Sequence, residues 1–200
     1  MPASWLSVGG LVFQLSAEDG LAPAERSLTR AFAVEPGVAD LRIHARWTDA
    51  PLTLEGQLTF DGGESWQLHT LADERIITCC TAVPERRIYK QARFDAAFRQ
   101  GEVVVSRRFF SGHAERIDPL DYPLDEVVTI HALAHGRGVA VHACGALDAE
   151  GRAYVFAGQS GAGKSTLARL LAEAPGLRLL SDERLVIRTD GPVPLVYGTP

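Results

Sequence analysis

The sequence has little cysteine, little lysine and no long apolar run. Its three cysteines, two of them adjacent at Cys79 and Cys80, cannot build a disulfide framework, which predicts a reducing, cytoplasmic location. No apolar stretch approaches the roughly 20 residues that a membrane-spanning helix needs. The N-terminus is fairly apolar but lacks the basic region of a secretory signal. We therefore expect neither a membrane segment nor a membrane partner.

The chain also lacks an excess of positive charge. Its formal net charge is −5, with 22% charged and 46% hydrophobic residues. The paired arginines, Arg86 with Arg87 and Arg107 with Arg108, have acidic neighbours, so we interpret them as solvated strand faces. The composition predicts a folded core and argues against nucleic acid as a partner.

Residues 1–117 have the alternating pattern of a β-rich, antiparallel module. Leu58 and Phe60 alternate with polar residues, Asp61-Gly62-Gly63 predicts a turn, and Trp66 resumes the alternation. This pattern is typical of a hairpin. Further segments are predicted as strands, and one as a short helix: strands Leu11–Leu15, Leu41–Trp47, Arg75–Thr81, Arg86–Ala92 and Glu102–Phe110, and helix Phe94–Arg99.

Residues 118–200 have a different character. A connector with two prolines leads into a helix that is predicted to end near His135, before Gly136. The segments that follow predict, in order, strand Val139–Leu147, strand Ala153–Ala157, helix Thr166–Glu173 and strand Leu177–Leu180. Strand, glycine loop, helix and strand are typical of a βαβ unit. We therefore expect an α/β core as the second domain, and the fold class to be α+β or α/β.

A glycine-rich motif joins the second of these strands to the helix. It reads Gly158-Gln-Ser-Gly-Ala-Gly163-Lys164-Ser165 and fits the P-loop pattern G-x-x-x-x-G-K-[ST]. Glycines let the backbone curl and aim successive N–H groups inward, and the helix adds its positive N-terminal end. The motif predicts that the chain binds a nucleoside triphosphate, most simply ATP with Mg²⁺.

Each polar side chain of the motif has a predicted role. Lys164 is one of only two lysines among 20 basic residues, and a compact ammonium suits this position better than a guanidinium fork. The Ser165 hydroxyl is a candidate Mg²⁺ ligand. The alternative is a flexible turn with a surface lysine. The predicted nucleotide-binding residues are Gly158, Ser160, Gly161, Ala162, Gly163, Lys164, Ser165 and Thr166.

Three further side chains are candidates for catalysis. Asp182 and Glu183 follow the predicted strand after the helix, where functional groups collect in α/β sheets. Asp182 is a candidate for holding Mg²⁺ or for accepting a proton from an attacking hydroxyl; the alternative is a solvated turn. His142 lies in the strand before the P-loop strand, where a lone histidine is commonly a packed residue.

The C-terminal third resembles the HPr kinase/phosphorylase superfamily in three segments: Val141-His-Ala-Cys-Gly-Ala-Leu-Asp, the P-loop, and Leu179-Leu-Ser-Asp-Glu-Arg. It is most similar to HPr-kinase-like proteins encoded beside peptide-modification genes, and PEP carboxykinase shares the core. The resemblance implies a kinase that transfers phosphate from Mg-ATP to a serine or threonine hydroxyl of a peptide or small protein. It places His142 near the terminal phosphate, Asp182 as general base or metal ligand, and Glu183 beside it. It also implies a homo-oligomer.

The chain differs from the family at two positions, and these differences limit the expected activity and substrate. The family has a glutamate where this chain has Thr166, and an aspartate where it has Glu183. Both argue against phosphorylase activity and against HPr as the substrate. The chain ends at Pro200, soon after the acidic pair, so we expect the kinase core to be incomplete at its C-terminus and turnover to be poor. An ABC-like ATPase and a non-catalytic, nucleotide-gated peptide-binding module are the alternative functions.

Overall fold

The computed structural model describes residues 3–23, 31–63, 65–82, 85–112 and 116–199. The chain divides into two compact units. The first comprises Met1–Ser7 and Val12–Val128, and the second comprises Val8–Leu11 and Thr129–Pro200. Within the described residues, no helix is long and apolar enough to cross a membrane.

The first unit is built on an eight-stranded sheet with the order β1-β2-β3-β8-β7-β6-β5-β4. Its strands are β1 Ser4–Val8, β2 Leu11–Ala17, β3 Leu41–Thr48, β4 Gln57–Asp61, β5 Trp66–Leu71, β6 Glu74–Cys80, β7 Ile88–Asp95 and β8 Gln100–Ser106. The predicted hairpin is confirmed, because β4 pairs with β5. The expectation of a purely antiparallel module is wrong, since β3 runs parallel to both β2 and β8.

The alternation of side chains in this sheet gives an apolar face and an opposite face of mixed polarity. A buried row crosses five strands in register: Ala45, Val103, Ala92, Ile77 and Leu68. Removing each large aliphatic side chain from water contributes about 1.5–3 kcal/mol to stability. The neighbouring row on the opposite face contains Gln91 and Thr78, which hydrogen-bond to each other at 3.2 Å. Both side chains are buried, so the alternation in these strands is one of polarity and not of burial.

Lys90 lies on the apolar face of the same sheet and is only 1% exposed. Its ammonium pairs with the carboxylate of Asp121 and donates to the Asp121 carbonyl oxygen at 3.3 Å. The neighbouring Cys79 is also buried; desolvation raises the pKa of its thiol to about 11, although the Lys90 charge opposes the shift. All three cysteines are free and buried, so the expectation of no disulfide framework is confirmed.

Of the two helices predicted before residue 136, the structure contains one. Helix α1, Leu124–Leu133, lies inside the predicted range and is confirmed. The helix predicted over residues 94–99 is wrong, because Phe94 and Asp95 end strand β7. The Asp95 carboxylate then accepts hydrogen bonds from the backbone N–H groups of Ala97 and Gln100 at 2.8 and 2.6 Å, which fixes a turn between β7 and β8.

The second unit holds a five-stranded sheet and helix α2, Lys164–Glu173. Its strands are β9 Gly138–Asp148, β10 Ala153–Ala157, β11 Leu177–Ser181, β12 Arg184–Arg188 and β13 Leu195–Gly198. β9 is central. β10 pairs with one of its edges, whereas β11 and β12 pair with successive halves of its other edge, and β13 pairs with β12.

The expected α/β kinase core is wrong. Every strand pair described in the second sheet is antiparallel, and β9 lies between β10 and β11. The continuous apolar run of β9 suggested a strand of a parallel sheet because such strands are buried on both faces. In this antiparallel sheet the same double burial is achieved with small side chains, since Ala143, Cys144 and Ala146 are all fully buried.

Candidate functional site

The glycine loop connects β10 to α2, as predicted. Gly161 and Gly163 have φ angles of 81° and 87°, in the left-handed region. At both positions an added Cβ would find open space, so glycine is favoured by backbone conformation and not by crowding. Gly158 differs, because its Cβ would lie 3.2 Å from that of Ala162. The backbone N–H of Ala162 donates to the carbonyl of Gln159 at 3.1 Å, which closes the turn.

The Lys164 side chain bends back over this loop. Its ammonium donates to the carbonyl oxygens of Gly158 and Gln159 at 2.7 and 2.9 Å. These contacts use two of the three donors of an ammonium group. They fix the positive charge at the start of the loop, within reach of an anion that binds there.

Helix α2 begins directly at this charge. Gly163 is its N-cap residue and provides no side-chain hydrogen bond, and its first turn contains no acidic residue. The first N–H groups of a helix have no partner within the helix, so this end attracts anions. Ser165 and Thr166, both exposed, lie in that first turn, as does the half-exposed Lys164. The buried Ala168 lies one turn further on.

Strand register brings His142 to the entrance of the loop. Ala143 of β9 pairs with Ala157, the last residue of β10, so His142 is the β9 residue next to the pair at which the loop begins. On the other edge of β9, His142 pairs with Arg184. His142 is exposed and is therefore not a packed core histidine.

The acidic pair lies in the bend between β11 and β12, which run in the same direction along one edge of β9. The Ser181 hydroxyl accepts hydrogen bonds from the backbone N–H groups of Glu183 and Arg184 at 3.5 and 3.4 Å, and the Glu183 carbonyl accepts one from Ala143 N–H at 3.1 Å. The Glu183 carboxylate lies 3.7 Å from the Arg184 guanidinium. Asp182 is exposed. The bend is thus fixed to the middle of β9.

The loop and the bend that holds Asp182 and Glu183 are on opposite edges of β9 at the same level of the sheet. Adjacent strands are about 4.8 Å apart, so two spacings separate them by about 10 Å. The exposed Ser165 hydroxyl and Asp182 carboxylate offer the oxygen donors that Mg²⁺ prefers. The residues present therefore fit a magnesium–triphosphate group. Within the described part of the chain, no three His, Cys, Asp or Glu side chains form a cluster suited to a metal ion held by protein alone.

Sequence reasoning did not select Arg184 as a site residue. It is the direct strand partner of His142, and its guanidinium lies 3.7 Å from the Glu183 carboxylate. Only the antiparallel register of β9 and β12 reveals this position, and local sequence does not encode that register.

No protein-family model, curated protein or solved structure matches the chain. The resemblance to HPr-kinase-like proteins accordingly stays a prediction, and the proposal below depends on the geometry of the loop and its neighbours.

Proposed function

We propose that the protein binds Mg-ATP at the loop Gly158–Ser165 and transfers the terminal phosphoryl group to a serine or threonine hydroxyl of a peptide or small protein. The proposal depends on the loop, the helix that follows it and the strands beside it. It does not require the parallel α/β core that the sequence suggested.

The position of Lys164 carries the proposal. Its ammonium lies over the loop carbonyls at the N-terminus of α2, a helix end with neither a side-chain cap nor an acidic first turn. Loop N–H groups, the helix N-terminus and the ammonium all favour negative charge at one place. A triphosphate is the ligand whose charge and length suit this arrangement.

The chain supplies groups for each part of phosphoryl transfer. Ser165 would hold Mg²⁺ directly, and Asp182 would hold it through water. The ion would neutralise phosphate charge. A bond forms between the acceptor oxygen and the terminal phosphorus while the bond from that phosphorus to the bridging oxygen breaks, and ADP leaves with the electron pair. The hydroxyl proton passes to the Asp182 carboxylate. His142 donates a hydrogen bond to the transferred group, and Arg184 beside it adds positive charge.

The variant Lys164→Ala tests nucleotide binding. We expect its affinity for Mg-ATP, measured by isothermal titration calorimetry, to fall about 10–100-fold, because a hydrogen bond to a charged group contributes about 1.5–3 kcal/mol. Circular dichroism should show an unchanged fold. Arg169→Ala, which removes a positive charge from an exposed position of the same helix, is the matched control and should bind as the wild type does. Unchanged affinity in Lys164→Ala contradicts the proposal.

An assay with radiolabelled ATP distinguishes phosphoryl transfer to a peptide from ATP hydrolysis and from nucleotide binding alone. Label on an added serine-containing peptide supports a kinase. Release of free labelled phosphate without an acceptor indicates an ATPase, and binding with neither product indicates a nucleotide-gated binding module.

A further inference from the structure

Strand β10 is an edge strand whose outer side is open. It is the terminal strand of its sheet, and in the described residues its one strand partner is β9. Its sequence, Ala153-Tyr-Val-Phe-Ala157, contains no charge and no proline. Tyr154 and Phe156, which share one face, are 43% and 37% exposed.

Hydrogen-bond alternation shows which backbone groups face outward. The carbonyl of Arg152 accepts a hydrogen bond from Asp148 N–H at 3.0 Å, and bonded pairs recur every second residue of an antiparallel ladder. Tyr154 and Phe156 therefore bond to β9. The N–H and C=O groups of Ala153, Val155 and Ala157 point away from the sheet.

Two other edge strands, β4 and β13, have features that β10 lacks. Edge strands are commonly protected from pairing by bulges, prolines or charges. β4 has a register shift between Leu58 and Phe60, and the edge strand β13 directly follows Pro194. The outward backbone groups of β10 have neither feature beside them, and the chemical group that complements such a row is another extended backbone.

We propose that the acceptor of phosphoryl transfer binds as an added strand along the outer edge of β10; this rests on the proposed function. β10 runs directly into Gly158, so the added strand ends at the entrance of the phosphate-binding loop. It lies about 4.8 Å from β10, one strand spacing away. Its residue opposite Ala157 therefore lies at the loop, and the acceptor serine or threonine follows that residue, where the peptide leaves the edge and crosses the ends of β10 and β9 towards Asp182.

This mode of binding defines the substrate class. Backbone hydrogen bonds to Ala153, Val155 and Ala157 supply affinity without a sequence requirement, and side chains at alternate positions supply selectivity. Tyr154 and Phe156 favour apolar residues two positions apart on the facing side of the acceptor. The acceptor is therefore an extended segment with alternating apolar residues and a serine or threonine at its loop-proximal end.

Amide hydrogen exchange measured by NMR tests the inference on the full chain. The probe is a degenerate library of ten-residue peptides with one fixed central serine. We expect the amides of Ala153, Val155 and Ala157 to exchange at least tenfold more slowly with saturating library. Tyr154 and Phe156, already bonded to β9, should change little.

Val155→Pro removes one outward N–H while leaving the bonds to β9 intact, since proline is tolerated on an edge strand when its missing N–H would face solvent. We expect at least tenfold weaker peptide binding and unchanged Mg-ATP affinity. Val155→Ala keeps the backbone donor and is the control. If Val155→Pro does not fold, peptides N-methylated at alternate amides provide the same test, because they lose the acceptor-side donors and should bind at least tenfold more weakly to wild type.

Three results would overturn the inference. The first is peptide binding that leaves these three amides unprotected. The second is protection without peptide that rises with protein concentration, which would show a second copy of the chain on the edge. The third is the absence of any protection at millimolar library. The exchange experiment needs no nucleotide, so its outcome is independent of whether Mg-ATP binds at the loop.

Discussion

Gly163 sets the direction in which helix α2 leaves the loop. With a φ of 87° it turns the chain immediately before the first helical residue, Lys164. An L residue in this conformation is destabilised by about 1–2 kcal/mol by its own backbone. The spacing of glycines and lysine in the motif was sufficient to predict this geometry, because such local conformations depend on residues adjacent in sequence.

Substitution of Asp182 should distinguish nucleotide binding from phosphoryl transfer. In Asp182→Asn we expect Mg-ATP affinity within about threefold of wild type and peptide phosphorylation reduced about 10²–10⁴-fold, because the amide cannot take the hydroxyl proton. Calorimetry and radiolabel transfer measure the two effects. Glu173→Gln, which alters an exposed carboxylate at the far end of α2, should leave both unchanged. Wild-type transfer by Asp182→Asn would refute the role of Asp182.

Asp148 links stability to pH at the end of β9. Partial desolvation opposes its ionisation, but hydrogen bonds from the Arg152 backbone and guanidinium and from the Tyr154 hydroxyl lower its pKa to about 2. A carboxyl with a pKa below its ordinary value, 3.8, stabilises the fold above about pH 4 and loses that contribution as the pH falls towards 2. Asp148→Asn should therefore be less stable than wild type at pH 7, with a difference that narrows towards pH 2.

Urea denaturation across this pH range measures the difference. Asp73→Asn, a matched charge removal at an exposed position, is the control. If the difference in stability between Asp148→Asn and wild type stays constant down to pH 2, the hydrogen bonds to Asp148 do not depend on its ionisation.

At the scale of elements, the sequence predicted strand β10 with the bounds that the structure has, and located α2 and β11 within two residues. It did not predict that β9 lies between β10 and β11. Periodicity, caps and turns act over a few residues, whereas strand order and direction depend on pairing between distant segments. Nothing local in β3 or β8 indicates their parallel pairing, and nothing near His142 indicates Arg184 beside it.

Gly145 is the residue on which the close packing of β9 depends. A Cβ there would lie 2.6 Å from the Leu185 Cδ1 and 2.9 Å from the Tyr154 carbonyl oxygen. We expect Gly145→Ala to lower the free energy of unfolding by about 1–3 kcal/mol through overpacking. Gly191→Ala is the control, because its Cβ would meet the nearest atom at 3.8 Å. Equal stability of the two variants in urea would contradict the claim that close packing around β9 requires glycine at position 145.

At the scale of the whole molecule, the second unit is assembled from two stretches that are far apart in sequence. Residues Val8–Leu11 belong to it together with Thr129–Pro200. The Arg188 guanidinium donates to the Gly9 carbonyl at 3.3 Å across a separation of 179 residues. The unit that holds the glycine loop therefore depends on the beginning of the chain for part of its packing.

Gly9→Ala tests this dependence. Gly9 has a φ of 59°, and its Cβ would lie 2.7 Å from the methyl carbons of the buried Val186. Backbone strain and overpacking together should lower stability by about 2–4 kcal/mol. Gly20→Ala is the control: Gly20 has a φ of 85°, but its Cβ would make an ordinary contact at 3.6 Å. This variant should lose only the stability that backbone strain costs. Faster amide exchange along β12 in Gly9→Ala and not in Gly20→Ala is the expected result.

The two lysines of the chain have a consequence for chemical labelling. Lys90 is shielded inside the first unit by the sheet and by Asp121, whereas Lys164 is half-exposed over the loop. An amine-reactive reagent used on the folded protein should accordingly acylate one lysine side chain, the one that faces the proposed ligand. Nucleotide occupancy of the loop could then be followed as protection of a single lysine side chain from acylation, without any mutation or engineered reporter.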